Sequence, residues 1–239
     1  MTSRFKLYLI HGAGGSKHVW QYQTAFFPGA VAISLPGHPE GEGHRTIDAY
    51  AAWLHDLLLQ RGEQQPVLVG HSMGGAISLL YALLYPQEVR ALVLVSTGAR
   101  LRVSPYLFET IGSDYEQAIR LMVDWAFAPG VKPRLREKSA EMLRQVSPAV
   151  THGDFEACNN FDVMQRVHEI QVPTLVICGT ADRLTPVKYS EYLAAGIRRA
   201  RLHLIEGAGH MVMLERPREF NRALQQFLDS LLLDSPKST

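Results

Sequence analysis

Ser72 stands among glycines in the run Gly70-His71-Ser72-Met73-Gly74-Gly75. A hydroxyl is a poor nucleophile at neutral pH. It becomes reactive when a base takes its proton and a third group orients that base. The apolar run Pro66-Val67-Leu68-Val69 precedes the serine, and an Ala/Leu-rich helical pattern from Ala76 to Tyr85 follows it. A serine on a tight strand-to-helix turn, with no side chains crowding it, is lifted off the sheet to where a base can reach. The helix behind it begins with unpaired backbone N–H groups that can hold a developing oxyanion. The competing explanation is a serine that only caps a helix, which would not need a strand in front of it.

The orienting acid and the base should follow the serine in chain order. Two later segments supply them. Val172-Pro173-Thr174-Leu175-Val176-Ile177-Cys178-Gly179-Thr180-Ala181-Asp182 reads as a strand entering a loop that carries Asp182. Leu202-His203-Leu204-Ile205-Glu206-Gly207-Ala208-Gly209-His210 reads as a strand followed by a Gly-rich loop ending in His210. Both candidates lie just past the C-terminal ends of strands, the edge of a parallel sheet where sites form. Asp154, Asp162 and Glu206 are rival acids. The first two fall in helical stretches, and Glu206 ends its strand too early to reach the loop.

These pieces, with His11-Gly12-Ala13-Gly14-Gly15 and Leu35-Pro36-Gly37-His38 before them, resemble the α/β-hydrolase superfamily, as a serine carboxylesterase-like member with a helical cap. They occur in the family's order and span most of the chain. The resemblance implies Ser72 as nucleophile, His210 as base and Asp182 as the orienting acid. It also implies the N–H groups of Met73 and Ala13 as an oxyanion hole. Two features depart from the family pattern. Ser34 stands where Asp often begins the loop before Leu35, and the chain starts almost at its first strand. An N-terminal hairpin therefore has no room, and six strands are expected rather than eight.

The elements that must position these residues follow from the apolar pattern. Short apolar runs at Phe5–Ile10, Val31–Leu35, Val67–Val69, Ala91–Ser96, Thr174–Cys178 and Arg201–Ile205 do not alternate strictly, as suits a sheet covered on both faces. Helical patterns at Ile47–Gln60, Met73–Tyr85, Val187–Arg199 and Arg216–Leu232 separate or follow them. In the last, Phe220, Leu224, Phe227, Leu228 and Leu231 mark a buried face. The expected fold is α/β: a doubly wound, mostly or wholly parallel six-stranded sheet. Between Thr97 and Gln171 the alternation stops. Helical patterns at Tyr115–Ala128, Lys132–Val146 and Asp154–His168 fill the gap, punctuated by Pro105, Pro129, Pro133 and Pro148. Residues 98–171 are read as a helical cap over the site, inserted into a hydrolase core formed by 1–97 and 172–239. Its aromatics Tyr106, Phe108, Trp125, Phe127 and Phe161, with Phe155, either line an acyl pocket or hold the cap together.

Composition narrows the function. The chain has 239 residues, 46% of them apolar, and a net charge of +1 from 24 basic and 23 acidic residues. No basic run points to nucleic acid, no apolar segment is long enough to span a bilayer, and Met1–Lys6 lacks a secretory h-region. Cys158 and Cys178 form no disulfide framework. A cytoplasmic enzyme is expected, acting on a small-molecule ester or acyl substrate, as monomer or homodimer. Gly12 to His18 matches neither a dinucleotide fingerprint nor a Walker loop, and no Cys/His spacing suits zinc, so no cofactor or metal is expected. His11 is read as a brace for its loop, His71 as pointing away from the site, and His38 and His44 as solvated. Arg100 and Arg102 are either solvated hinge charges or a greeting for a substrate carboxylate. The first expectation for function is carboxylic ester hydrolysis. Lactone opening, C–C bond hydrolysis, thioester hydrolysis and acyl transfer remain open on the same residues, as does a non-catalytic ligand receptor. Serine rather than Asp at position 72 disfavours dehalogenation and epoxide opening.

Overall fold

The computed structural model of the protein describes residues 5–233. Residues 234–239, whose polar composition predicts a disordered tail, lie outside the described residues, as do the first four residues of the segment read as lacking a leader. Six strands form one sheet: β1 Leu7–Ile10, β2 Val31–Ile33, β3 Val67–His71, β4 Ala91–Val95, β5 Thr174–Gly179 and β6 Ala200–Ile205. Their order is β2-β1-β3-β4-β5-β6, and every pair is parallel. The order reverses between β1 and β3, which opens a crevice past their carboxyl ends where ligands of such sheets bind.

Alternate residues of β1, β3, β4 and β5 feed opposite cores, as the twofold period of a strand requires. Tyr8, Ile10, Leu68, Leu92, Leu94 and Val176 pack with helices α2 (Ile47–Gln60) and α3 (Met73–Leu84). Leu7, Leu9, Val67, Val69, Val93, Val95 and Ile177 pack on the other face against Trp20 and the C-terminal helix. In that helix, Pro217–Leu233, the buried residues include Phe220, Leu224, Phe227, Leu228 and Leu231, the stripe its periodicity marks. Burial on both faces explains why the strands do not alternate between apolar and polar residues. Among the described residues no helix is long and apolar enough to cross a membrane.

Preceding α2 is the short α1 (Gln21–Phe26), an element that no helical pattern in the sequence predicts. Between β4 and β5 lie α4 (Pro105–Ser113), α5 (Tyr115–Ala126), α6 (Pro133–Arg144) and α7 (Pro148–Asn160), followed by a 3-10 turn at Met164–Glu169. The single helix expected over Asp154–His168 is therefore two elements, and α4 was not anticipated. Leu107, Ile111, Ala118, Ile119 and Met122 give these helices a small core of their own. After β5 come α8 (Val187–Gly196), β6, the one-turn α9 (Val212–Glu215) and α10, the Pro217–Leu233 helix.

Candidate active site

Ser72 is the one residue between β3 and α3, and it has φ 53° and ψ −116°. That backbone is unfavourable for a residue with a side chain, and the surroundings impose it. Its N–H donates to the Val95 carbonyl at 2.9 Å, and its carbonyl accepts from Gly75 N, Ala76 N and the Thr97 hydroxyl at 2.9, 3.2 and 2.7 Å. The turn closes so tightly that a Cβ on Gly70 would lie 2.2 Å from the Gly74 carbonyl oxygen, and one on Gly74 would lie 2.3 Å from that of Ile10. Met73 is the first residue of α3, so its N–H is among those the helix leaves unpaired. The loop after β1 comes within contact of the serine: a Cβ on Gly12 would sit 3.0 Å from Ser72 Cβ. Ala13 follows directly and lines the cavity with Ser72.

His210 ends the loop after β6. Its Nδ1–H donates to Asp182 Oδ2 at 2.9 Å, with the Thr185 hydroxyl 3.2 Å away. The loop is fixed from two helices: His210 N donates to the Ala126 carbonyl of α5 at 2.8 Å, and Gly209 N donates to Glu215 Oε2 of α9 at 3.0 Å. Asp182 lies in the loop after β5, buried. Its Oδ1 accepts Leu184 N and Thr185 N, both at 2.9 Å, and its Oδ2 accepts the Thr185 hydroxyl at 2.9 Å. Burial pushes this carboxyl up. The His210 charge and hydrogen bond, with the bonds from Thr185, outweigh it and lower the pKa to about 2. An acceptor carboxylate on Nδ1 leaves Nε2 of His210 free to act as a base.

Two cavities meet at Ser72 and His210, which line both. The narrower, about 100 Å³, is walled by Ala13, Met122, Val123, Phe127, Met142, Leu143 and Phe155 among others. The wider, about 390 Å³, is walled by Leu101, Val103, Leu107, Trp125, Phe155 and Tyr189, with Arg102 and Arg183 at hand. Of the aromatics expected to line a pocket, Trp125 and Phe127 do so, and Phe155 borders both cavities. Tyr106, Phe108 and Phe161 line neither. Tyr106 is 53% exposed, on the face of α4 opposite Leu107 and Ile111. Phe108 packs on His152. Phe161 closes α7 and turns into the sheet-side core near Ala157 and Val163.

The histidines divide differently from expectation. His11 does brace its loop. Its Nδ1–H donates to the Gly12 carbonyl at 2.9 Å, and its Nε2 accepts the Leu35 N–H at 3.1 Å. Burial, then the neighbouring His38 charge, lower its pKa to about 3. His71 does not point away. It lines the narrower cavity and lies 4.7 Å from the His210 ring, and its Nε2–H donates to the His210 carbonyl at 3.0 Å. His38 is not solvated but buried against Asp154, and His44 is half-buried against Tyr50. Arg100 and Arg102 face Asp162 at 3.7 and 3.8 Å, which makes them surface ion pairs. Thr97, Thr185 and Glu215 hold the site without having been singled out. Only Thr185 carried a signal, a hydroxyl three residues after an Asp, in position for a local turn.

The chain is similar to curated relatives in sequence and to proteins of known structure in fold. A pimeloyl-[acyl-carrier protein] methyl ester esterase from Neisseria meningitidis serogroup A is 27% identical over 248 residues, covering 97% of this chain and 78% of that protein. A thermophilic esterase of known structure superposes with a TM-score of 0.84 at 37% identity, covering 96% of this chain and 92% of the other. An N-acyl homoserine lactone degrading enzyme does so with a TM-score of 0.80 at 28% identity, covering 95% and 94%. The family model that describes the Alpha/beta hydrolase family matches residues 7–223, and with the six-stranded parallel sheet this establishes that the chain belongs to that family.

Proposed function

We propose that this chain is a serine hydrolase that cleaves carboxylic ester bonds of small, largely apolar substrates through an acyl-serine intermediate. Esterase relatives support ester hydrolysis as the reaction class. The observation that carries the serine mechanism is local: Ser72 and His210 wall the same cavities while Asp182 grips the far nitrogen of the His210 ring. Residues 98–171 act as a cap, a reading supported by the α5, α6 and α7 side chains that close the cavity above Ser72.

In this mechanism His210 Nε2 takes the Ser72 proton as Oγ attacks the ester carbonyl. The Met73 and Ala13 N–H groups receive the oxyanion, and each such donor is worth roughly 3 kcal/mol of barrier. Asp182 holds the imidazole tautomer and stabilises its cation. His210 then gives the proton to the leaving alcohol. Water, activated by the same nitrogen, releases the acid and restores the serine. The narrower cavity, walled by Met122, Phe127, Met142 and Leu143, suits an apolar group beside the reacting carbonyl.

Ser72→Ala, assayed with a chromogenic short-chain ester, tests the proposal: turnover should vanish, and wild-type turnover would reject it. A lactone is the second reading, favoured by the lactone-degrading relative. Parallel kcat/KM values for open-chain esters and acyl lactones decide between the two.

A further inference from the structure

Asp154 sits on α7, fully buried, with three donors converging on its carboxylate. Gly14 N donates to Oδ2 at 2.8 Å, His38 Nε2 to Oδ2 at 2.8 Å, and the Tyr50 hydroxyl to Oδ1 at 2.5 Å. Those partners come from the loop after β1, the loop after β2 and α2. Gly14 is the neighbour of Ala13, whose N–H is the second oxyanion donor of the mechanism above. Gly14 has φ +61°, and a Cβ there would meet Leu143 and Thr151 at 3.3 Å. The loop is therefore gripped from two sides, by His11 through the Gly12 carbonyl and by α6 and α7 through Gly14. A buried carboxylate is costly to leave without donors. An arrangement that surrounds it with charge-assisted bonds is correspondingly rigid.

We propose that Asp154 is a positioning residue of the reaction: by holding the Gly14 N–H it sets the Ala13 N–H at the oxyanion and ties the inserted helices to the oxyanion loop. This rests on the serine-hydrolase reading. Burial opposes a proton on His38, yet the Asp154 hydrogen bond and charge outweigh it and raise the His38 pKa, so His38 and the loop share the same carboxylate oxygen. Of the three donors, only Gly14 belongs to the oxyanion loop. Tyr50 lies on α2 in the core on the far side of the carboxylate, and it also accepts the His44 N–H at 3.2 Å. Losing the Tyr50 bond should weaken the fold without moving Ala13.

The test compares Asp154→Asn, Asp154→Ala and Tyr50→Phe with the wild type, with Ser72→Ala run alongside. It reads kcat, KM and the inhibition constant of a trifluoromethyl ketone, which forms a tetrahedral adduct on a serine. Asn can keep an oxygen toward Gly14 but without charge, so Asp154→Asn should lower kcat roughly 3- to 10-fold at nearly constant KM. Ala removes the anchor, and the displaced loop should cost on the order of 100-fold in kcat. In both variants the inhibitor should weaken by the same factor as kcat. Tyr50→Phe should lower the melting temperature and leave kcat within about twofold of wild type, since no oxyanion donor is touched. Wild-type kcat and inhibition constant in Asp154→Asn would overturn the inference, as would an equal kcat loss in Tyr50→Phe. If Asp154→Ala does not fold, the Asn and Phe variants decide. An active Ser72→Ala would instead bring down the serine mechanism itself. An inactive Ser72→Ala beside a normal Asp154→Asn would bring down the positioning role alone.

Discussion

Asp182→Asn is the sharpest perturbation of the site because the structure dictates which way the new amide must face. Oδ1 accepts two backbone N–H groups, from Leu184 and Thr185, at 2.9 Å each. An asparagine keeps both bonds only with its oxygen on that side. Its NH2 then takes the Oδ2 position, against His210 Nδ1 and the Thr185 hydroxyl. A donor there forces Nδ1 to accept, which places the ring proton on Nε2, and that nitrogen can no longer receive the Ser72 proton. The flipped amide would restore the tautomer but would set its NH2 against two N–H donors, one buried and one half-buried, at about 1–3 kcal/mol each. With about 2–6 kcal/mol favouring the wrong orientation, the competent state is a minor population. Steady-state hydrolysis of a chromogenic ester should show kcat down about 10³- to 10⁴-fold, as loss of the correct tautomer costs elsewhere. Asp182→Ala, which imposes no tautomer, should be no worse than Asp182→Asn. An Asn variant within about tenfold of wild type would refute the reasoning, because one side of this carboxylate could then not be fixing the imidazole.

Other consequences follow from the same geometry. Gly70→Ala places a Cβ 2.2 Å from the Gly74 carbonyl oxygen, so the elbow must move, and denaturant titration should show a loss of about 3 kcal/mol or more. His11 is neutral in the fold, with its pKa lowered from 6.5 to about 3 by burial and then by His38, while the unfolded chain takes up the proton. Its contribution to stability is whole above the unfolded value and is lost as pH falls from there toward about 3, amounting to roughly 3 kcal/mol by about pH 4. Urea titrations at pH 7 and pH 4 should show that loss, and His11→Gln should flatten it; an unchanged slope would refute the assignment. Met142 walls the narrower cavity. Met142→Ala should shift kcat/KM toward longer acyl esters over acetate by about tenfold, and an unaltered chain-length profile would place the acyl group in the wider cavity.

Most of the sheet and its crevice was legible from residues alone, because burial on both faces leaves continuous apolar runs and the site loops follow strand ends. Ser72, Asp182 and His210 were expected from the glycines beside them or the strands before them, whereas Ala13 was implied only by the resemblance of its loop to the family's. The inserted helices were harder. Pro105, Pro133 and Pro148 read as interruptions, yet each stands in the first turn of a helix, where a missing N–H costs nothing. A proline that starts a helix and one that ends it look alike without the tertiary contacts. The loop from Pro36 to His44 looked solvated because it is polar. Its true partner, Asp154, is 116 residues away from His38, and no local pattern announces so distant a pairing. Tyr106 and Phe161 show the same limit: an aromatic near a site does not reveal which way its helix turns it.

The central claim is that Ser72 carries the acyl group. Wild-type enzyme mixed with excess p-nitrophenyl acetate, quenched in acid within the first turnovers and digested, should yield an acetylated peptide spanning Gly70 to Gly75, with the mass gain on Ser72 and absent from Ser72→Ala. An acetyl group trapped on another residue, or a Ser72→Ala enzyme that turns over at the wild-type rate, would contradict the account.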